Sequence, residues 1–189
     1  MDSADIRPDE TGFDSVVAFS LRERDVRGRC VRLGPVLDTI LSAHDYPGPI
    51  RHLLAEALLL ATLIGSLGKE ERSQMTMQAQ SADGIVDMLV CDYRDGELRG
   101  YVRFDPARLA DLGINPTLPA LVGPEAYLAI TFDIAEGGRY QGIVPLDAES
   151  LSDACESYFR QSEQLPTVLR VAVQSQEGHC IAGGLLLQY

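Results

Sequence analysis

Residues 53–67 read LLAEALLLATLIGSL, and Glu56 is the only charge in the run. As a helix this stretch is apolar nearly all round, so it has no polar side to turn to water. Full exposure would be an aggregation hazard, which disfavours a partner-binding helix. The run is too short for a bilayer span and carries a glutamate. What remains is a core helix enclosed by other elements. Its start is expected near Pro49, a good first-turn residue, and its end near Leu67, with Gly68 as C-cap.

The enclosing elements read mostly as strands. Residues 14–21 and 26–33 form a hairpin pattern, with Val17, Phe19 and Leu21 alternating on one face. Pro35 opens a short helix whose stripe is Val36, Ile40, Leu37 and Leu41, and HDYPGP (44–49) breaks it. After the core helix, QMTMQAQ (74–80) alternates cleanly. IVDMLVC (85–91) and ELRGYVRF (97–104) pair around DYRDG, with Leu98, Val102 and Phe104 facing one way and Arg99, Tyr101 and Arg103 the other. DPARLADLG (105–113) is a short helix at best, followed by the Pro-rich connection INPTLPALVGP. AYLAITFDI (126–134) and RYQGIVPL (139–146) pair through EGG. A helix over 148–163 carries Leu151, Ala154, Cys155, Tyr158 and Phe159 on one face and stops before Pro166. TVLRVAV (167–173) and CIAGGLLLQ (180–188) complete the pattern. The order is β-β-α-α-β-β-β-α-β-β-α-β-β. Hairpin connections dominate, which predicts an α+β fold of layered, mostly antiparallel sheets packed with helices. Residues 1–13 are expected to form a flexible tail, and 14–189 a single domain.

Chemistry is sparse. The formal charge of −12 argues against a nucleic-acid surface, because affinity for phosphates rests on lysine and arginine. The polar N-terminus lacks an apolar signal region, so a cytoplasmic location without a membrane role is expected. No phosphate-binding glycine motif occurs. Gly137-Gly138 reads as a turn, and Gly183-Gly184 as a bulge or a close backbone approach within a strand. Cys30, Cys91, Cys155 and Cys180 are scattered without paired spacing, and each reads as a small buried apolar residue. His44, at a helix end, His52, opening the core helix, and His179 lie far apart. His179 and Cys180 are adjacent, but in a strand they point to opposite faces. No catalytic, cofactor-binding or metal-ligating residue is nominated, and the residues alone do not locate a binding site.

Several segments together resemble the 33 kDa heat-shock protein family, the redox-regulated holdase chaperones of bacteria. They are HDYPGPIRHLLAEALLLATLIGSLGK, the hairpin from Gly84 to Phe104 with its RGYVRF, GGRYQGIVPL, and ESYFRQSEQLPT followed by AGGLLLQ. The resemblance runs from about residue 14 to residue 189. It implies an ATP-independent chaperone, not an enzyme, that binds unfolding proteins under heat or oxidative stress and acts as a dimer. It also implies a following linker and a zinc module with C-x-C and C-x-x-C cysteine pairs, where oxidation to disulfides releases zinc and activates the protein. None of the four cysteines here matches those ligands in spacing or position. The expectation is therefore the N-terminal, client-binding and dimerisation domain, with no cofactor of its own and without the zinc module. A holdase domain should carry an exposed apolar patch above roughly 400 Å². Two other readings remain: a thiol-dependent enzyme, hinted at by Cys180 beside His179, and a module binding one partner through a strand edge.

Overall fold

The computed structural model describes residues 4–5, 12–68, 74–134 and 137–189. Along the chain run β1 (Ala4–Asp5), β2 (Ser15–Leu21), β3 (Val26–Leu33), α1 (Pro35–Leu41), α2 (Gly48–Gly65) and β4 (Gln74–Gln80). Then come β5 (Val86–Arg94), β6 (Glu97–Phe104), α3 (Pro106–Ala110), α4 (Leu118–Val122), β7 (Tyr127–Ile134) and β8 (Gly138–Pro145). The last elements are α5 (Leu151–Tyr158), β9 (Thr167–Gln176) and β10 (His179–Gln188). The strands form a six-stranded sheet, β1-β6-β5-β4-β7-β8, and a four-stranded sheet, β2-β3-β10-β9. Every pairing is antiparallel. The α+β layering expected from the hairpin pattern is what forms.

The apolar run becomes α2, which touches β3, β9 and β10 on one side and β4, β5 and β6 on the other. Leu58, Leu59, Leu60, Leu63 and Ile64 are all fully buried. Two glycines bring the sheets close to the helix. A Cβ on Gly100 of β6 would lie 2.8 Å from Leu58, and one on Gly184 of β10 would lie 2.8 Å from Leu63. The close approach expected of the Gly183-Gly184 pair thus belongs to Gly184, while Gly183 turns to the opposite face.

Four local expectations need correction. The helix ends at Gly65, not near Gly68, with Ser66 as its cap. Arg29 donates to the Ser66 carbonyl at 3.0 Å, placing a cation at the helix C-terminus. At 18 residues and a mean hydropathy of 1.3, α2 is long and apolar enough to cross a membrane by length and composition, yet it lies between two sheets. The helix expected over 148–163 is α5 alone, capped by Ser150, followed by a π-helical turn over Phe159–Glu163. Gln164 closes that turn at φ 53°, with the Leu165 N–H reaching the Phe159 carbonyl at 3.2 Å, so the helical run ends at Glu163, the expected end, before Pro166 is reached. The Pro-rich connection contains α4, whose N-terminus Thr117 caps by accepting from the Ala120 N–H.

Of the expected tail, Ala4 and Asp5 pair with Leu98 and Glu97 on β6. Residues 1–3 and 6–11 lie outside the described residues, as does part of the EGG turn. Asp14 is an anchor: its carboxylate accepts from the Gly34 and Val36 N–H groups at 2.8 and 2.9 Å, capping α1.

Candidate functional site

In an antiparallel sheet with one face on the core, the other face is ordinarily polar. The six-stranded sheet obeys in part. Gln74 and Thr76 of β4 stand opposite Arg94 and Asp92 of β5 and Asp133 and Thr131 of β7, whereas Gln78 and Gln80 stand opposite Val90, Met88, Ala129 and Tyr127, and Ile143 of β8, 57% exposed, continues that row. Ion pairs lace the same side, among them Arg99–Asp92 at 2.8 Å and Arg139–Asp133 at 2.9 Å.

The four-stranded sheet does not obey. Its inward residues, such as Val31, Leu33, Leu169 and Leu186, join the core around α2. Residues one step away point outward, and registry sets them in rows. Val17, Cys30 and Leu185 form one row, and Phe19, Gly28, Leu187 and Val168 the next. Leu21 opposite Val26 extends the second row's end. The Phe19 ring covers Gly28 so closely that a Cβ there would lie 2.3 Å from Cζ. Val17 is 56% exposed and Leu21 52%. Phe19, Leu185, Leu187 and Val168 are half-buried, yet none belongs to the core or packs on it. They shield one another. The result is a contiguous apolar face on the outside of the molecule, rimmed by Arg32 and Arg170.

The cysteines are dispersed across this architecture. Cys30 is exposed in the middle of the apolar face, which corrects the expectation of burial: registry with Val17 fixes it on the outward side. Cys91, Cys155 and Cys180 are buried, and burial pushes each thiol pKa up. A thiol held in its neutral form is a poor nucleophile. His179 and Cys180 do point apart. The His179 Nδ1 meets Asp38 Oδ2 at 2.8 Å on the exposed side, while the Cys180 thiol accepts from the Ser175 hydroxyl at 3.7 Å. His44 lies beyond the end of α1 and stacks by its ring on Tyr46 and Tyr101. His52 lines an open cleft of about 1090 Å³ between the start of α2 and the loop holding Ile114. Among the described residues no group of three histidines, cysteines or carboxylates is placed to hold a metal ion. The four cysteines do not come together as a zinc site among the described residues.

Glu56, the lone charge of the core run, has a structural task. Its carboxylate faces the backbone N–H groups of Ser152 and Leu151 at the start of α5, and burial raises its pKa.

Alternation in the sequence marks Val17, Phe19 and Leu21 as one face but carries no signal for which side of the sheet it takes. Long-range registry with β10 makes that choice.

Fold and face together define a layered α+β domain with an apolar outer sheet face. The chain belongs to the Hsp33 protein family, whose pattern matches residues 14–189. A 33 kDa chaperonin of Caulobacter vibrioides is 43% identical over 193 residues, covering 97% of this chain and 63% of the relative. One from Photorhabdus laumondii is 38% identical over 176 residues, covering 93% and 58%. The solved 33 kDa chaperonin (Hsp33 homologue) of Thermotoga maritima shares the fold, with a TM-score of 0.71 at 21% identity over 90% of this chain and 59% of that one. The chain thus spans about three fifths of the length of the relatives it matches.

Proposed function

We propose that this chain is the client-binding domain of an ATP-independent holdase: it adsorbs unfolding proteins on the outer face of the four-stranded sheet and keeps them from aggregating. The observation that carries this reading is the row structure of Val17, Phe19, Leu21, Leu185 and Leu187, an apolar surface that the core does not use. Covering such side chains releases water, and the attraction is non-directional. A flat apolar face therefore accepts many sequences, whereas a shaped pocket selects one. The net charge of −12 would keep the loaded complex soluble. The names of the relatives point the same way. A second copy of the chain is the other expected partner, and the cytoplasm the expected compartment.

Redox control belongs, in this reading, to a zinc module outside these residues, because the cysteines here are dispersed and three of them buried. The chain by itself should then protect clients whether or not oxidant is present.

The test is light scattering by a heat-unfolding client. The chain should suppress aggregation equally with and without peroxide. A Val17→Asp, Leu21→Asp double variant should lose most of the protection while unfolding at the same urea concentration, because both positions are more than half exposed. Full protection by the double variant would remove the face from the reading. No protection by the unaltered chain in either condition would remove the holdase function from this domain.

A further inference from the structure

The edge strands are β1 and β8 of one sheet and β9 and β2 of the other; because β1 has only two residues, most of β6 is an edge as well, and β6, β8 and β9 are guarded. On β6 the Val102 N–H donates to the Tyr46 hydroxyl at 3.1 Å, and Ala4 and Asp5 pair along its start. On β9 the Leu169 N–H donates to the Glu156 carboxylate at 2.8 Å, with α5 packed alongside. β8 contains Gly142, ends in Pro145 and carries Arg139. These are the devices that keep sheet edges from pairing with foreign chains.

β2 has none of them. Its seven residues, SVVAFSL, include no charge, proline or glycine. It pairs only with β3, and no other described residue hydrogen-bonds to its free side. An extended backbone laid there would find a matching ladder of N–H and C=O groups. Its alternate side chains would continue the outward rows of Val17, Phe19 and Leu21.

Charge narrows the occupant. Residues 22–32 hold five arginines and two acids, in a chain whose net charge is −12. Arg32 stands opposite Ser15 at one end of β2, and Arg22 and Arg24 follow Leu21 at the other; all three are exposed. Of the acids flanking β2, Asp14 is buried and occupied in capping α1, while Glu23 and Asp25 are exposed between and beside Arg22 and Arg24, so the positive excess over residues 22–32 is that of five arginines over two acids.

We infer that the free edge of β2 takes an extended apolar segment of an unfolding protein, flanked by acidic residues, as a fifth strand of the four-stranded sheet. This rests on the holdase reading and deepens it. Part of the grip is then backbone pairing, and the apolar face reads only every second client side chain.

The test uses a fluorescent peptide of seven alternating valines and threonines flanked by paired aspartates, with anisotropy as the readout. Two further peptides are N-methylated at the odd or the even positions. Edge pairing exposes only one set of amides to β2. One methylated peptide should therefore bind like the parent, and the other about tenfold or more weaker, as expected from losing two or three net hydrogen bonds. A lysine-flanked peptide should also bind more weakly than the parent, and the difference should shrink at high salt. Hydrogen exchange should slow at β2 amides when the parent peptide binds. Equal affinity of both methylated peptides would overturn the inference in favour of adsorption on the flat face. Failure of the parent peptide to bind, while the chain still suppresses client aggregation, would overturn it and leave the holdase reading standing. β2 amides already protected in a peptide-free dimer would assign the edge to a second copy instead.

Discussion

The ring of Tyr158 on α5 lies across Gly142 on β8, so close that a Cβ there would stand 2.4 Å from Cε2. The tyrosine is fully buried and donates its hydroxyl to Glu163 at 2.9 Å. Burial, first, and the Glu163 carboxylate, second, push its pKa far above the ordinary 10.0. The contact fixes α5 against the six-stranded sheet. Gly142→Ala must displace the ring, and overpacking of this kind costs about 1–3 kcal/mol. Urea unfolding should show that loss; an unchanged midpoint would mean the ring has room to move.

Glu56 gives a pH signature. Burial raises its folded-state pKa above the ordinary 4.5. Between those two values the folded chain binds more protons than the unfolded chain, so stability from this group falls as pH rises. Glu56→Gln removes the titration while leaving an oxygen that faces the start of α5. The variant's stability relative to the unaltered chain should therefore increase as pH climbs from 4.5 through the raised pKa. Parallel urea curves at all pH values would show that Glu56 does not carry this linkage.

The thiols differ in access. A disulfide reagent should modify one thiol per native chain quickly, Cys30, and all four after urea. Cys30→Ser should abolish the fast phase. Because Cys30 sits between Val17 and Leu185, a bulky charged label on it should weaken client protection. The same reagent applied to Cys30→Ser should leave protection intact.

Asp38 joins α1 to β10 through two contacts, accepting from the Cys180 N–H and meeting the His179 ring, both at 2.8 Å. Asp38→Ala leaves that N–H without its partner, at a cost of about 1–3 kcal/mol. His179→Ala removes only the exposed contact and should cost within about 0.5 kcal/mol. Equal losses in thermal denaturation would mean the ring, not the backbone bond, is the joint.

The core helix was legible because a run such as LLLATLIG has only one stable setting, and the hairpins because period-two alternation is a local signal. Local signals also found the pairing of Gly84–Phe104 and its two faces. Other features depend on distance. Nothing in β3 announces that it pairs with β10, some 150 residues later, yet that registry turns Cys30 outward and places Gly184 against Leu63. Alternation marks Val17, Phe19 and Leu21 as one face; it does not say on which side the helix lies. α4 is not legible because five residues with Pro119 among them give no usable periodicity. The helical run expected over 148–163 does end at Glu163, but it starts at Leu151, its last turn is π-helical, and Gln164 in the left-handed conformation closes it before Pro166 is reached.

The outer sheet face and the packing around α2 are separated by a single backbone thickness, and Val17, Phe19, Leu21, Val168, Leu185 and Leu187 take no part in the core cluster among the described residues. Substitution on one side of that partition leaves the other nearly untouched. A lineage can therefore make this domain stickier, plainer or more selective by altering five or six outward residues, without reworking the architecture that holds them up.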